Sequence, residues 1–401
     1  MEAKKFTYTY MEMLLFFICV YTIATLFNNK IPSIPLARII GMFISAMMFI
    51  IMASQMTKKM FITFMLSVMS IIISFAVAGD YSTNFKDAVW FFTTVMSVCL
   101  GADRKFRDEF KSVIYRKRKT ILYTVLICDL ILCLAIVSPS SYGNAWSWGD
   151  SEGFFVGFAQ NGHTLCSCCC LLLVLIMLVF QDEKMRMREY ILYFPPLYGV
   201  FFSGARTFLI PVAVLLLSGV FIKVKNRKAR LGIALVLIVA FVLFLQNSSM
   251  MDKINFASNN KYATNVLSSI TNGRSEFWNY DLRTFSQFNI LGWLFGKGFD
   301  YIYRLNQRAY GLAIYAHNDL INFLVCLGLF GTVTYFSNWI RFTFRTQTET
   351  YSGYKLELST KILFALYVWA PMLLNGMFAY QHYVYSCVLL SIYYYGFHEN
   401  P

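Results

Sequence analysis

Apolar runs of about 17–25 residues recur from one end of the chain to the other, separated by polar segments that are mostly short. They fall near 9–27, 34–54, 60–78, 85–101, 119–138, 163–180, 189–205, 207–222, 229–246, 318–340, 359–378 and 380–397. Each is long enough to cross the hydrocarbon core of a bilayer, roughly 30 Å thick. The pattern predicts an all-α integral membrane protein of about twelve transmembrane helices, a single polytopic domain over 1–401. The first run follows Lys4 and Lys5 and lacks a small-residue exit, so it reads as a signal anchor. The stretch 189–222 is one long apolar region, broken at Gly204-Ala205-Arg206 and carrying Pro195, Pro196 and Pro211.

Composition agrees with this picture. Of the 401 residues, 58% are hydrophobic and 14% charged, far too apolar for a soluble domain. The formal charge of +14 does not point to nucleic acid, because most of the Lys and Arg sits in short segments on alternate sides of the runs. The basic set comprises Lys4 and Lys5, Lys58 and Lys59, the cluster from Arg104 to Lys119, Lys184 to Arg188, Lys223 to Arg230, and Arg341 to Lys361. The short intervening segments hold only Lys30, Arg38, Lys86 and Arg206. By the positive-inside rule both termini are cytoplasmic, and the protein is expected in the plasma (inner) membrane.

Two segments on the expected outer side stand out. Residues 139–162 carry no Lys or Arg and many aromatics, Trp146 and Trp148 among them. Residues 247–315 are long for a connection and should be structured or functional. Within them Phe277, Trp278, Leu282 and Phe285 make a helical stripe that predicts an amphipathic helix near 274–288.

Candidate chemistry gathers on the same side. Arg206 lies in Phe202-Ser203-Gly204-Ala205-Arg206-Thr207, nearly enclosed by apolar sequence. Such a cation either binds an anion or snorkels to the interface. Arg274 opens the amphipathic helix after Asn272-Gly273, where a planar guanidinium can pair with phosphate oxygens. The plain reading is a solvated loop charge. His317 and Asn318 begin the tenth run; Asn318 is a natural helix cap, and His317 is suited to move protons near neutral pH or is an interface residue without a role. Three of the four histidines, His163, His317 and His382, map to this side. Gly296-Lys297-Gly298 can form a backbone nest for an anion but has no dinucleotide-loop context. Asp129 lies deep in a run, either as a proton relay or as an acid paired across helices. Of the ten cysteines, Cys166, Cys168, Cys169 and Cys170 fall inside one apolar run and read as helix-packing residues. No acidic cluster suggests a metal, and no cofactor is expected.

The ordered set resembles the O-antigen polymerase and O-antigen ligase superfamily of bacterial cell-envelope glycosyltransferases. It consists of Ser203-Gly-Ala-Arg206-Thr207, Gly273-Arg274 with Trp278, Gly296-Lys297-Gly298, and His317-Asn318-Asp-Leu320 with Gly328 and Gly331. The resemblance covers about 155–340. It implies a donor glycan on a polyprenyl diphosphate carrier and an acceptor sugar on a second molecule. Arg206, Arg274 and His317 map onto the family's catalytic arginines and histidine. Ser203, Thr207, Trp278, Lys297, Asn318 and His163 are the implied substrate-binding residues. In place of Arg274, one of Arg283, Arg304 or Arg308 can be the second diphosphate ligand. Trp146, Trp148, Trp278 and Trp293 are candidates to stack on sugars. A flippase and a chain-length regulator of the same pathway are the implied partners, beside the membrane lipids. Polymerase is the expected activity and ligase its alternative. A multi-pass transporter or flippase is the alternative of a different class, against which stand one deep acid and no internal repeat.

Overall fold

The computed structural model describes residues 2–28, 35–78, 85–143, 153–181, 185–224, 226–246, 271, 273–348 and 356–396. Trp146, Trp148, Asn272 and the stretch 247–270 lie outside them.

The described chain is helical, and one isolated β-bridge joins Tyr142 to Phe155. The helices are α1 (Glu2–Leu26), α2 (Leu36–Ser54), α3 (Lys58–Ala78), α4 (Phe85–Gly101), α5 (Arg104–Arg116) and α6 (Arg118–Ile136). They continue with α7 (Gly162–Val179), α8 (Phe194–Phe202), α9 (Leu209–Lys223) and α10 (Arg227–Gln246). Then come α11 (Arg274–Ser286), α12 (Ile290–Phe295), α13 (Tyr301–Tyr310), α14 (Asp319–Thr348), α15 (Leu358–Leu374) and α16 (Gln381–Gly396).

This is a multi-pass membrane protein. Among the described residues seven helices are long and apolar enough to cross a bilayer, and eight if α4 and α5, bent by 89°, form one broken span. Every expected run contains a helix. Several of those helices are short: α8 has nine residues, α16 sixteen and α15 seventeen.

The basic segment 104–116 was expected as a loop and is instead helix α5. Asp103 accepts from the Phe106 amide at 3.1 Å and caps it, turning the chain off the end of α4. Phe106, Phe110, Val113 and Ile114 are buried, Arg104, Lys105 and Arg116 are exposed, and Arg107 is buried over the Tyr395 ring.

The centre of the bundle is α7 beside α16, in which nearly every side chain is buried. In α7 the small Cys166, Ser167, Cys168, Cys169 and Cys170 let neighbours come close: a Cβ on Gly199 of α8 would stand 2.9 Å from the Cys169 sulfur. All ten cysteines are free, consistent with packing rather than a disulfide framework. Outer helices turn large apolar side chains outward, such as Ile72 of α3, Leu130 of α6, Val236 of α10 and Val333 of α14. In water such a surface would aggregate; against lipid it is the expected face.

Asp129 is buried in α6 and neither carboxylate oxygen has a hydrogen-bond partner, so no cross-helix pair holds it among the described residues.

Candidate functional site

One end of the bundle collects polar groups from four places. The first is the elbow between α8 and α9. The Ser203 hydroxyl donates to the Val200 carbonyl at 3.0 Å and accepts from the Ala205 amide at 3.2 Å, so it shapes the elbow. Gly204 takes φ 71°, and a Cβ there would stand 2.8 Å from the Phe154 ring. The turn Arg206–Phe208 then lifts Arg206 to a half-buried position. The Thr207 hydroxyl beside it is buried without a partner.

The second is α7, capped by Asn161, whose side chain accepts from the Thr164 amide at 2.8 Å. His163 in its first turn lies 6.0 Å, ring to ring, from Tyr380 and 6.2 Å from Phe208.

The third is the lobe of α11, α12 and α13, packed on α14. Gly273, with φ 79°, leads into α11. Phe277 and Asp281 are buried, Trp278 is half-buried and Leu282 is exposed, so the expected stripe covers only part of the helix. The Trp278 indole donates to the Ala316 carbonyl at 2.7 Å, fixing the irregular segment just before His317. Arg274 donates through Nη1 to the Leu374 carbonyl at 2.5 Å. Of the four arginines considered, Arg274 is the one whose charge acts on both Arg206 and His317. Arg283 and Arg308 are exposed, and Arg304 pairs with Asp300 at 3.0 Å.

The fourth is the start of α14. The Asn318 side chain accepts from the Leu320 amide at 3.0 Å and the Ile321 amide at 3.2 Å, the cap that its position indicated. His317 has φ 53°, a left-handed conformation that costs energy for any side chain and persists where the surroundings fix it. Its Nδ1 is buried without a hydrogen bond, and its ring stands 4.4 Å from that of Tyr315.

Charge and burial set the state of these groups. Burial pushes the His317 imidazole well below its ordinary 6.5, and the charges of Arg274 and His163 push the same way. It is therefore neutral near pH 7 and able to accept a proton. Burial also draws the Arg274 guanidinium down, opposed by Tyr315 and Tyr380. Among the described residues no carboxylate pairs with Arg206 or Arg274. Two half-buried cations without counter-ions beside a neutral imidazole suit an anionic group with a hydroxyl next to it.

Two expectations change. The Gly296-Lys297-Gly298 nest has spent its donors: the Gly296, Lys297 and Gly298 amides bond to the Gly292, Val325 and Cys326 carbonyls at 2.8, 3.1 and 2.9 Å. The run closes a break in α14, and Lys297 itself lies over the Phe288 ring. His382 sits away from the cluster, packed in the bundle with its Nε2 2.9 Å from the Thr25 hydroxyl and its ring stacked on Tyr21. Trp293, one of the candidates to stack on sugars, is exposed and packs one side on Phe285, the ring centroids 5.8 Å apart.

The sequence reading missed Tyr315, Asn375 and Tyr380. The Tyr315 and Tyr380 hydroxyls are 2.9 Å apart, and Asn375 lies against His317. The available signal was Asn375-Gly376, a polar turn pair inside an apolar region.

The fold and this end of it define a multi-pass membrane protein with paired arginines and a histidine at one end of the bundle. Residues 191–336, which include Arg206, Arg274 and His317, match the family model described as O-antigen ligase (Wzy_C), so this segment is similar to the O-antigen polymerase and ligase superfamily. The match supports a polymerase- or ligase-type activity on lipid-linked glycans. No curated protein and no solved structure matches.

Proposed function

We propose that the chain is a polysaccharide polymerase, joining oligosaccharide repeat units carried on polyprenyl diphosphate into O-antigen or capsular polysaccharide. In this reading it crosses the plasma membrane twelve times, with both termini cytoplasmic and the cluster on the extracytoplasmic face. One observation carries the chemistry: among the described residues Arg206 and Arg274 pair with no carboxylate, and the charge of Arg274 acts on both Arg206 and a neutral His317.

The acceptor sugar hydroxyl attacks the anomeric carbon of the donor glycan. The new C–O bond forms as the bond to the diphosphate breaks, and the electron pair leaves with the polyprenyl diphosphate. Arg206 and Arg274 meet the charge that grows on those oxygens, and His317 takes the hydroxyl proton. The two steps are coupled. Burial is the main cause of the low basicity of His317 and the positive charge of Arg274 adds to it, so a diphosphate bound to Arg274 offsets the second part. Basicity then rises when the donor is in place. Thr207, with its unpartnered hydroxyl, and Trp278, packed against the segment before His317, are assigned to substrate binding in this reading. His163, Asn318, Ser203 and Lys297 act through structure in this scheme. A flippase that delivers the donor and a chain-length regulator are the partners this role requires.

The ligase reading draws on the description of the matching family model. It shares the donor and differs in the acceptor. A transporter has less support, because the polar groups cluster at one end of the bundle rather than at mid-depth.

Deleting the gene and sizing the cell's glycan tests the proposal. A glycan of single repeats that Arg206→Ala and His317→Ala fail to lengthen supports the polymerase. Full-length glycan stranded on its carrier identifies the ligase instead. Unchanged glycan contradicts both.

A further inference from the structure

Helices α3 and α14 run side by side in opposite directions. The Thr63 hydroxyl donates to Asn338 Oδ1 at 3.3 Å, and the Ser74 hydroxyl donates to the Cys326 carbonyl at 2.8 Å. Numbers that rise along α3 fall along α14. Carried one turn further, the same register brings Lys59, at the start of α3, level with Arg341 and Arg345, toward the end of α14. An open crevice of about 460 Å³ lies there, lined by Lys59, Ser337, Ile340, Arg341, Phe344 and Arg345. A helix rises about 1.5 Å per residue, so Arg341 stands roughly 30 Å along α14 from the His317 end, the thickness of a bilayer core. The crevice is therefore at the other end of the bundle and no part of the candidate site.

Its charge is one-sided. Three of the six lining side chains are cations and none is an acid. Arg341 and Arg345 are neighbours one turn apart on a helix face, where like charges repel. Helix α3 opens with Lys58 and Lys59 and has no acid in its first turn, although the positive end of the helix dipole favours an anion there. Both arrangements are unfavourable by themselves, and a bound anion relieves both. Among the described residues no carboxylate pairs with Lys59 or Arg341, and the Arg341 Nε is buried with no hydrogen-bond partner.

The apolar wall indicates which anion. Ile340 and Phe344 are 58% and 61% exposed and border the same crevice. A free phosphate ion would meet the cations and leave these side chains uncovered. A phospholipid covers both: its phosphate sits among the cations at the membrane face, and its acyl chains lie against Phe344 and Ile340. We propose that the crevice between α3 and α14 binds an anionic glycerophospholipid of the leaflet opposite the candidate site. Arg341 and Arg345 meet its phosphate oxygens with planar donors, and Lys59 adds a point charge.

The bound lipid ties the start of α3 to the end of α14. At its other end α3 meets the break in α14 through Ser74, and Ala78 there would stand 2.9 Å from a Cβ on Gly298. The lipid thus steadies, from the far face, the helix pair on which the lobe bearing Arg274 is seated.

The test uses the full chain in a neutral detergent, with retained lipids counted by native mass spectrometry and Tm followed in parallel. Dioleoyl phosphatidylglycerol and dioleoyl phosphatidylcholine share their tails and differ in charge; inorganic phosphate supplies the anion alone. The wild type is expected to hold its first phosphatidylglycerol roughly tenfold or more tightly than phosphatidylcholine and to gain in Tm, with no gain from inorganic phosphate at the same concentration. Lys59→Gln, at an exposed position, should lose roughly fivefold in affinity for phosphatidylglycerol, the worth of one basic residue near an anionic surface. The triple variant Lys59→Gln, Arg341→Gln, Arg345→Gln should lose most of the preference, whereas Lys105→Gln, exposed on α5, should match the wild type. Lys59→Gln alone decides the matter if the triple variant does not fold. Equal retention of the two lipids by the wild type overturns the inference, as does an undiminished preference in Lys59→Gln. A gain in Tm with inorganic phosphate equal to that with lipid overturns it too, because the site then takes a free anion.

Discussion

Gly328 and Gly296 meet backbone to backbone: a Cβ on Gly328 would stand 2.6 Å from the Gly296 amide nitrogen. Gly328 takes φ 64° and ψ −165° inside α14, a region open essentially to glycine alone. The break frees carbonyls that the helix no longer uses, and other donors take them. Lys297 and Gly298 donate to Val325 and Cys326, and the Ser74 hydroxyl donates to Cys326 at 2.8 Å. The lobe bearing Arg274 is thereby locked to the helix that His317 immediately precedes. Gly328→Ala should cost roughly 1–3 kcal/mol in backbone strain alone, before the clash. Thermal melting in detergent checks it: a clear drop in Tm is expected, and an unchanged Tm contradicts the interlock.

Arg206 and Arg274 are expected to require guanidinium geometry. Lysine keeps the charge but not the planar pair of donors. Arg206→Lys and Arg274→Lys should each lose roughly a hundredfold or more in turnover, the scale for removing one preorganised donor to a developing charge. Initial rates in proteoliposomes measure this. Retained turnover with lysine would reduce the role to simple charge.

The pH profile carries a signature of the coupling between Arg274 and His317. The imidazole lies well below its ordinary 6.5, so kcat/KM, which reports the free enzyme, should stay level through pH 6.5 and fall only in more acid solution. A diphosphate on Arg274 raises the imidazole in the complex, so the acid limb of kcat should lie at higher pH than that of kcat/KM. Coincident limbs count against the coupling.

Asp281 gives the α11–α13 lobe a pH dependence of its own. Burial pushes its carboxyl up to about 7, opposed by Asn306. Unfolded, the group titrates near 3.9. A raised acid favours the fold in its neutral form, so this contribution is full below about pH 3.9 and is lost as pH rises through 7. Proteolysis of the lobe should quicken as pH rises from about 4 to 7 in the wild type but not in Asp281→Asn. Equal acceleration in both would place the effect elsewhere.

Much of this architecture is legible in the sequence because lipid imposes long apolar runs, and runs of that length leave few folds open. Arg206, Arg274 and His317 were legible as charged or titratable groups in apolar or capping contexts. The helix α5 was not, because eight basic residues in a short stretch mask the buried Phe106, Phe110, Val113 and Ile114. The grip on the 373–380 turn was not, because it falls at the end of the expected run 359–378 and gains meaning only from Asp319, which accepts from the Met377 amide across the fold. The Gly296-Lys297-Gly298 run misled for a related reason: a glycine pair that lets backbones touch has the same spacing as one that receives an anion.

Release of polyprenyl diphosphate from a synthetic lipid-linked oligosaccharide, by wild type and by His317→Ala at equal amounts of folded protein, tests the central claim most directly. The account predicts a loss on the order of 10²–10⁴ in the variant, the range for a general base. Release at the wild-type rate would contradict it.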